Sequence, residues 1–473
     1  MPNRILIPLI VACALFMENL DSTVLSTSLP AIARDFHESP IHLKLALTSY
    51  LLAIAIFIPV SGWLADRFGA RLIFRLAIAT FTTGSIICGF SHSIGMIIFA
   101  RIIQGIGGAM MVPVGRLVIL RSVTKQELVG SLAWLTVPAL IGPVIGPPIG
   151  GFITTYFSWP WIFWINIPVG ILGLILATLY IPEVRADTCI PFDSAGFLLS
   201  GVGLAGFMTG STTLGLGLLP LPIVLGALFG GAALLAVYVV RGRRIAEPML
   251  DLSLLSIPTF RHSMIGALLF RIGMGATPFL LPLLLQVGFG MTPFQSGLIT
   301  FAAAVGAIAM KFVAPPALRH FGFRNVLMWN TFIAAGFVAM PAVFAPTTPV
   351  ALMTGLLLIG GFFRSLQFTS INALSYADIS QARMSRATTL ASVAQQLSLS
   401  AGISVGAITL ETVTRLNGGV ITADSFWPAF VLIGLISLSS FIPFARLAAN
   451  AGDEMSGRRP MAPDPVTVMR ERG

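Results

Sequence analysis

Fourteen stretches of mainly apolar residues, separated by short breaks that are charged or rich in Pro and Gly, constrain this chain more than any other feature. The hydrocarbon core of a bilayer is about 30 Å thick and a helix rises about 1.5 Å per residue, so one crossing needs roughly 20 apolar residues. Any single stretch could be a buried helix of a soluble protein. All of them together could not, because only 10% of the residues are charged, against about 25% in soluble domains. Too little polar sequence remains to cover such a core. Backbone that faces lipid must satisfy its own hydrogen bonds, so each stretch is expected to be helical. The expected fold class is an all-α membrane protein with 14 transmembrane helices.

The expected spans run 5–33, 43–65, 72–90, 95–120, 129–153, 159–181, 194–214, 219–240, 262–285, 294–316, 325–344, 349–375, 387–410 and 427–449. They divide the chain into an N-terminal six-helix bundle (1–181), an inserted helix pair with its linkers (182–261), a C-terminal six-helix bundle (262–449) and a polar tail (450–473) expected to be disordered. Arg4 followed by an apolar run imitates a signal peptide. Glu18 and Asp21 interrupt that run and no convincing cleavage site follows, so it is expected to be the first retained helix.

The net charge of +10 would suggest nucleic acid in a soluble protein. Its placement points elsewhere. An even number of spans puts both termini on one side. Of the 28 Lys and Arg residues, only Arg34, Lys44 and Arg415 fall in the loops of the opposite side. Arg101, Arg271, Lys311 and Arg364 fall within spans, and all the others lie on the side of the termini. This is the bias that marks the cytoplasmic side, so both termini are expected there and no nucleic-acid partner is. Trp159, Trp161 and Trp427 stand where an outer aromatic belt is expected. Cys13, Cys88 and Cys189 are scattered and suggest neither a disulfide framework nor metal ligation. No phosphate-binding Walker loop and no nucleophile–base set is found, so neither ATP drive nor enzyme activity is expected.

Leu64-Ala65-Asp66-Arg67-Phe68-Gly69-Ala70-Arg71 stands between spans two and three, and Ala317-Leu318-Arg319-His320-Phe321-Gly322-Phe323-Arg324 between spans ten and eleven. The shared Phe-Gly-x-Arg falls at the corresponding loop of each six-helix half. Internal repeats of this kind characterise transporter folds with a binding site between the halves.

Four motifs carry chemistry. In the first loop, Gly62 and Gly69 allow close packing and a tight turn, Asp66 can cap a helix or pair with an arginine, and Arg67 and Arg71 complete the basic pattern. In span four, Arg101, Gln104, Gly105 and Gly108 share one face. An arginine at that depth is costly unless it faces a cavity or a partner. In span five, Gly142-Pro143-Val144-Ile145-Gly146-Pro147-Pro148-Ile149-Gly150-Gly151 places glycines four apart, for close helix approach, among prolines that bend the helix. In span one, Leu20-Asp21-Ser22-Thr23-Val24 leads to Leu29-Pro30, and Glu18 lies one turn before Asp21 on the same face.

These segments resemble motifs A, B and C of the major facilitator superfamily. With the span-one signature and Trp161-Ile162-Phe163-Trp164-Ile165-Asn166-Ile167-Pro168, they look like its fourteen-helix drug:proton antiporters, the EmrB/QacA type. Arg271-Ile272-Gly273 and the stretch from Gly306 to Lys311 are similar to the MdtD-like branch. The resemblance implies an exporter of small molecules in the bacterial inner membrane, working by alternating access and driven by the proton gradient without a cofactor. It also implies that spans one and four meet, so that Asp21, the expected proton site, has Arg101 as partner. Glu18 departs from the family, which tends to have an uncharged residue there. It is a second proton site, a ligand for a cationic substrate, or a protonated spectator.

Arg271, Lys311 and Arg364 lie within spans of the second half, where no acid neutralises them. With Gln367, Gln395 and Gln396 they are expected to line the substrate cavity, and three cations there would suit an anion or a carboxylate-bearing amphiphile such as a siderophore. Neutralisation by Asp21, Glu18, backbone carbonyls or lipid phosphate is the competing account. A receptor that kept the fold without flux is the alternative of another class.

Overall fold

The computed structural model of the chain describes residues 3–122, 128–183, 192–214, 219–245, 248–380 and 383–453, with the side chains of 3–5 and 120–140 left aside. Cys189 and the tail beyond Asp453 lie outside the described residues. Among them there is no strand. Fourteen long helices follow one another: α1 Asn3–Asp35, α2 Lys44–Phe68, α3 Ala70–Gly89, α4 Ile94–Ser122 and α5 Leu128–Tyr156. Then come α6 Trp161–Tyr180, α7 Ser194–Thr213, α8 Leu221–Gly242, α9 Pro258–Gly288 and α10 Pro293–Phe321. The last four are α11 Phe323–Val343, α12 Val350–Leu374, α13 Met384–Leu416 and α14 Ala423–Ala445. Thirteen are long and apolar enough, over their described residues, to cross a membrane. The fourteenth, α5, has 29 residues.

Several expected boundaries move by a few residues, α10 running on to Phe321 and α14 ending at Ala445, and two placements of charged residues change with the structure. The α13 helix runs on to Leu416, because Glu411 and Arg415 form an i,i+4 pair at 2.8 Å that supports a turn beyond the apolar stretch. Arg415 is therefore helical rather than a loop residue. Lys44 is the first residue of α2 and is fully buried.

Packing repeats with a shift of eight helices. In the first six helices α1 lies against α5 and α6, α2 against α4, and α3 against α4 and α6. In the last six α9 lies against α13 and α14, α10 against α12, and α11 against α12 and α14. The two Phe-Gly-x-Arg loops explain part of this likeness. Gly69 has φ 100° and ψ 136°, and Gly322 has φ 76° and ψ 160°. Both lie in a region that is essentially open only to glycine. Each turn aims its arginine at the end of a neighbouring helix: Arg71 donates to the Thr178 carbonyl of α6, and Arg324 to the Ala445 carbonyl of α14, at 3.0 Å in the latter case.

The α7–α8 pair packs on itself and rests on α2 and α13. Phe57 and Trp63 of α2 meet Phe197 and Phe192 at its entrance. Only Val224, Gly231 and Tyr238 of α8 are buried, so most of that helix is left to lipid. After α8 the chain is clipped back to α13: Arg383 donates to Asp251 at 3.0 Å and Tyr238 holds Leu250.

The halves meet unequally. One hydrophobic core, including Leu29, Ile41, Trp159, Phe279, Leu283 and Phe426, joins both halves on the membrane face opposite the termini. Toward the termini each half has a core of its own, around Phe74 and Phe81 in one and Phe270 and Phe444 in the other, and the halves also meet there through a smaller cluster. This fourth cluster links α2, α7, α9 and α13.

Two outcomes follow. Gly322→Ala should cost about 1–3 kcal/mol from the strained backbone alone, read as a lowered melting temperature in detergent. At Asp251, burial pushes the carboxyl up, but hydrogen bonds from Ser253 and Arg383 outweigh it and hold it below the ordinary aspartate value. A carboxyl lowered by folding stabilises above its unfolded value of about 3.9, and loses that contribution as pH falls through the folded value. Asp251→Asn should therefore melt earlier than wild type at pH 7, with the gap closing below about pH 4.

Candidate functional site

Asp21 sits at the middle of α1, 2% exposed, where α1, α3, α4 and α6 converge. Arg101 of α4, also buried, donates from Nη1 to Asp21 Oδ2. The same nitrogen donates to Gln104 Oε1 at 2.8 Å, and Nε donates to the Ala46 carbonyl of α2 at 3.1 Å. Asp21 Oδ1 accepts from Gln104 Nε2 at 3.0 Å and from Asn166 Nδ2 at 2.8 Å. Ser85 of α3 accepts from both amides. The Arg101 guanidinium lies 4.0 Å from the centre of the Tyr50 ring, a cation–π contact that compensates lost hydration. A charged pair in lipid needs such surroundings, because each ion alone would cost several kcal/mol.

The network is incomplete in one direction. Arg101 Nη2, Asn166 Oδ1, Tyr50 Oη and Glu18 Oε2 are buried without a hydrogen-bond partner among the described residues. Glu18 and Tyr50 face the same space, which Gly108 keeps open: a Cβ there would lie 3.2 Å from Tyr50 Oη and 3.7 Å from the Glu18 carboxyl. Asp21 is thus saturated by donors, whereas Glu18, half-buried one turn away, has none among the described residues. An enclosed carboxylate oxygen in that position calls for a proton or a cation.

The sequence reading put Asp21, Arg101 and Gln104 together but missed Tyr50, Ser85 and Asn166. Asn166 carried a signal, as a lone amide early in an apolar span. Tyr50 and Ser85 carried none.

The glycines build the frame. Gly142, Gly146 and Gly150 of α5 lie against Asn19, Thr23 and Thr27 of α1, and a Cβ on Gly146 would come within 2.0 Å of Thr23 Oγ1. Gly105 lies on Ala53 and the Tyr50 carbonyl of α2. The end of the same α5 stretch meets the other half: Gly151 abuts Pro293 and Phe294 of α10, and Gly297 abuts Pro147 and Pro148. Phe294 N donates to Thr155 at 3.1 Å, and Gln286 Nε2, in the π-helical turn ending α9, donates to the Thr27 carbonyl at 2.8 Å. Pro143, in the same helix, is half-buried. The stretch expected as the first loop is mostly helical: Gly62, Asp66 and Arg67 lie in the last turns of α2 and only Gly69 breaks the helix. Gly62 has open space around it, Asp66 is half-buried and Arg67 is exposed.

The second half is less concentrated. Arg271 of α9 is buried, donates to Asn372 at 2.6 Å and lies 5.4 Å from the Phe368 ring. Gln367 is fully buried in the α11–α12 seam, where it bonds Asn330, Thr331 and the Leu327 carbonyl. Arg364 and Gln395 are half-buried and Lys311 is exposed, and none of the three has a polar partner among the described residues. Lys44 Nζ is buried without a partner at the start of α2, in the field of Glu411 across the α2–α13 contact.

A family model described as Major Facilitator Superfamily matches residues 11–403. The "Putative multidrug resistance protein MdtD" of Salmonella typhimurium is 35% identical over 456 residues, covering 94% of this chain and 95% of the relative. That of Salmonella heidelberg matches to the same extent. Among solved structures, the xylose transporter XylE from E. coli in an inward open conformation superposes with a TM-score of 0.60 at 14% identity, covering 95% of this chain and 99% of that one. The human organic anion transporter MFSD10 gives 0.59 at 14%, covering 94% and 100%. At these identities the structures share the fold.

If the glycine frame is what brings α5 onto α1, Gly146→Val should lower the melting temperature by several degrees, while the same change at Gly226, which has nothing within 4 Å, should not.

Proposed function

This chain belongs to the Major Facilitator Superfamily and is a membrane transporter rather than an enzyme, and we propose that it expels small molecules across the bacterial inner membrane in exchange for protons. The observation that carries this reading is the buried Asp21–Arg101 pair beside an unpartnered Glu18. Such a set gives one carboxyl held by a fixed cation and another that requires a mobile one. Proton entry would loosen Asp21 from Arg101 and Asn166, and with it the contacts that Arg101 makes to α2 and Asn166 of α6 makes to α3. Glu18 would take a proton or the cationic end of a substrate.

The unequal meeting of the halves supports alternating access. With both termini in the cytoplasm, as the distribution of Lys and Arg favours, the shared core and the α5–α10 glycine contacts would be the closed outer side. Rocking of the two six-helix units about this seam would then expose the site outside. One charge moving through 100 mV is worth about 2.3 kcal/mol, so one proton supports roughly a fifty-fold gradient from potential alone.

The homology to multidrug resistance proteins supports a broad substrate range. A dedicated exporter of an organic anion is the second reading, favoured by Lys311 and Arg364, which have no polar partner among the described residues.

In proteoliposomes with an imposed proton gradient, wild type should accumulate substrate and Asp21→Asn should lose gradient-driven accumulation, while exchange of labelled for unlabelled substrate persists. Equal accumulation by the variant would remove Asp21 from the coupling. Neutralising Lys311 and Arg364 separates the substrate readings: loss confined to organic anions supports the anion exporter, and loss confined to cationic dyes defeats it.

A further inference from the structure

On the face of the termini, the start of α9 and the end of α14 leave an open cleft of about 410 Å³. Arg261, His262 and Arg446 stand at its mouth, and Ile265, Leu269, Ile442 and Pro443 line the rest with Ser439. Arg261, Ile265 and Leu269 are spaced four apart, so they form one stripe running about 12 Å down α9. The cleft is therefore cationic at the interface and apolar beneath it. Both arginines are exposed, and neither they nor His262 has a side-chain hydrogen bond or ion pair among the described residues.

Packing fixes this arrangement. Gly266 lets α9 approach Phe444 so closely that a Cβ would come within 2.3 Å of the ring. Arg324 holds the Ala445 carbonyl, and so the turn that carries Arg446. The fold itself does not demand the charge. By the correspondence of Arg71–Thr178 with Arg324–Ala445, the position of Arg446 is taken in the first half by Leu179, which is 67% exposed and apolar.

We propose that this α9–α14 cleft binds an anionic glycerophospholipid, its phosphate between Arg261 and Arg446 and its upper acyl chain along Ile265 and Leu269. Charge and depth both select this occupant. Two unneutralised guanidiniums suit a phosphate, for which arginine forms a bidentate partner. The apolar stripe directly below suits the chain covalently joined to that phosphate, and basic pockets between transmembrane helices at this depth are where anionic headgroups are recognised. A soluble anion would leave the apolar part of the cleft uncovered.

The test uses the full chain purified in detergent micelles containing equal phosphatidylglycerol and phosphatidylcholine, with retained lipid read by native mass spectrometry. Wild type should retain phosphatidylglycerol in preference. The double variant Arg261→Gln/Arg446→Gln should bind it roughly thirty-fold more weakly, from the usual contribution of a basic residue near the membrane surface. Ile265→Trp, which fills the apolar stripe and keeps both charges, should also reduce retention. Arg319→Gln, an exposed arginine on the same face outside the cleft, should not. Melting temperatures identify any variant that has lost its fold. Undiminished retention in the double variant or in Ile265→Trp would overturn the proposal. So would an equal loss in Arg319→Gln, which would reduce the effect to surface charge. Displacement of the lipid by millimolar glycerol phosphate would show an anion site instead, and would equally defeat it.

Discussion

The close approach of α5 to two different helices is the constraint on which the rest of this molecule depends. Lipid offers no hydrophobic drive for helices to associate, so contact must come from shape, and small residues allow it. Gly142, Gly146 and Gly150 bring α5 onto α1, which fixes the height of Glu18 and Asp21 in the bundle. One residue beyond, Gly151 brings the same helix onto α10 of the other half. A single helix thus positions the charged site and forms the seam between the halves, so a rearrangement at one is mechanically connected to the other.

The electrostatics are as unequal as the packing. The first half gathers Asp21, Arg101, Gln104, Ser85 and Asn166 into one network, and the second half spreads Arg271, Arg364 and Lys311 over three helices. The repeated fold supplies equivalent scaffolds, and the side chains have diverged on them. At Arg271 the partner is a neutral amide from the same half, whereas at Arg101 it is a carboxylate. A network of opposite charges can be released by a proton, because protonation cancels one member. A cation held by an amide offers no such release.

Much of this was legible in the sequence. Span positions followed from apolar length, and the cost of burying Arg101 said that it needs a partner. That the partner is Asp21 followed from the family resemblance, which brings spans one and four together. The Phe-Gly-x-Arg repeat was legible as a pattern. Its purpose, an arginine reaching the end of a helix more than a hundred residues on, was not. Tyr50 and Ser85 could not be found, because an aromatic or hydroxyl residue in an apolar helix gives no sign of which neighbour it faces. Gln367 looked like cavity lining because it lies one turn from Arg364, but its amide is spent within the α11–α12 seam. Lys44 was read as a loop cation, since a lysine next to an apolar run ordinarily reaches back to the interface.

That lysine has a further consequence. Its ammonium is enclosed where α2 meets α13, with no hydrogen bond to replace its water. Dehydrating an ammonium costs several kcal/mol, and the field of Glu411 across the contact and the apolar core on that face both act against it. Parting α2 from α13 at that end would surrender apolar contact and rehydrate the charge at the same moment. The two changes oppose each other, so the α2–α13 contact is held by a difference between large quantities.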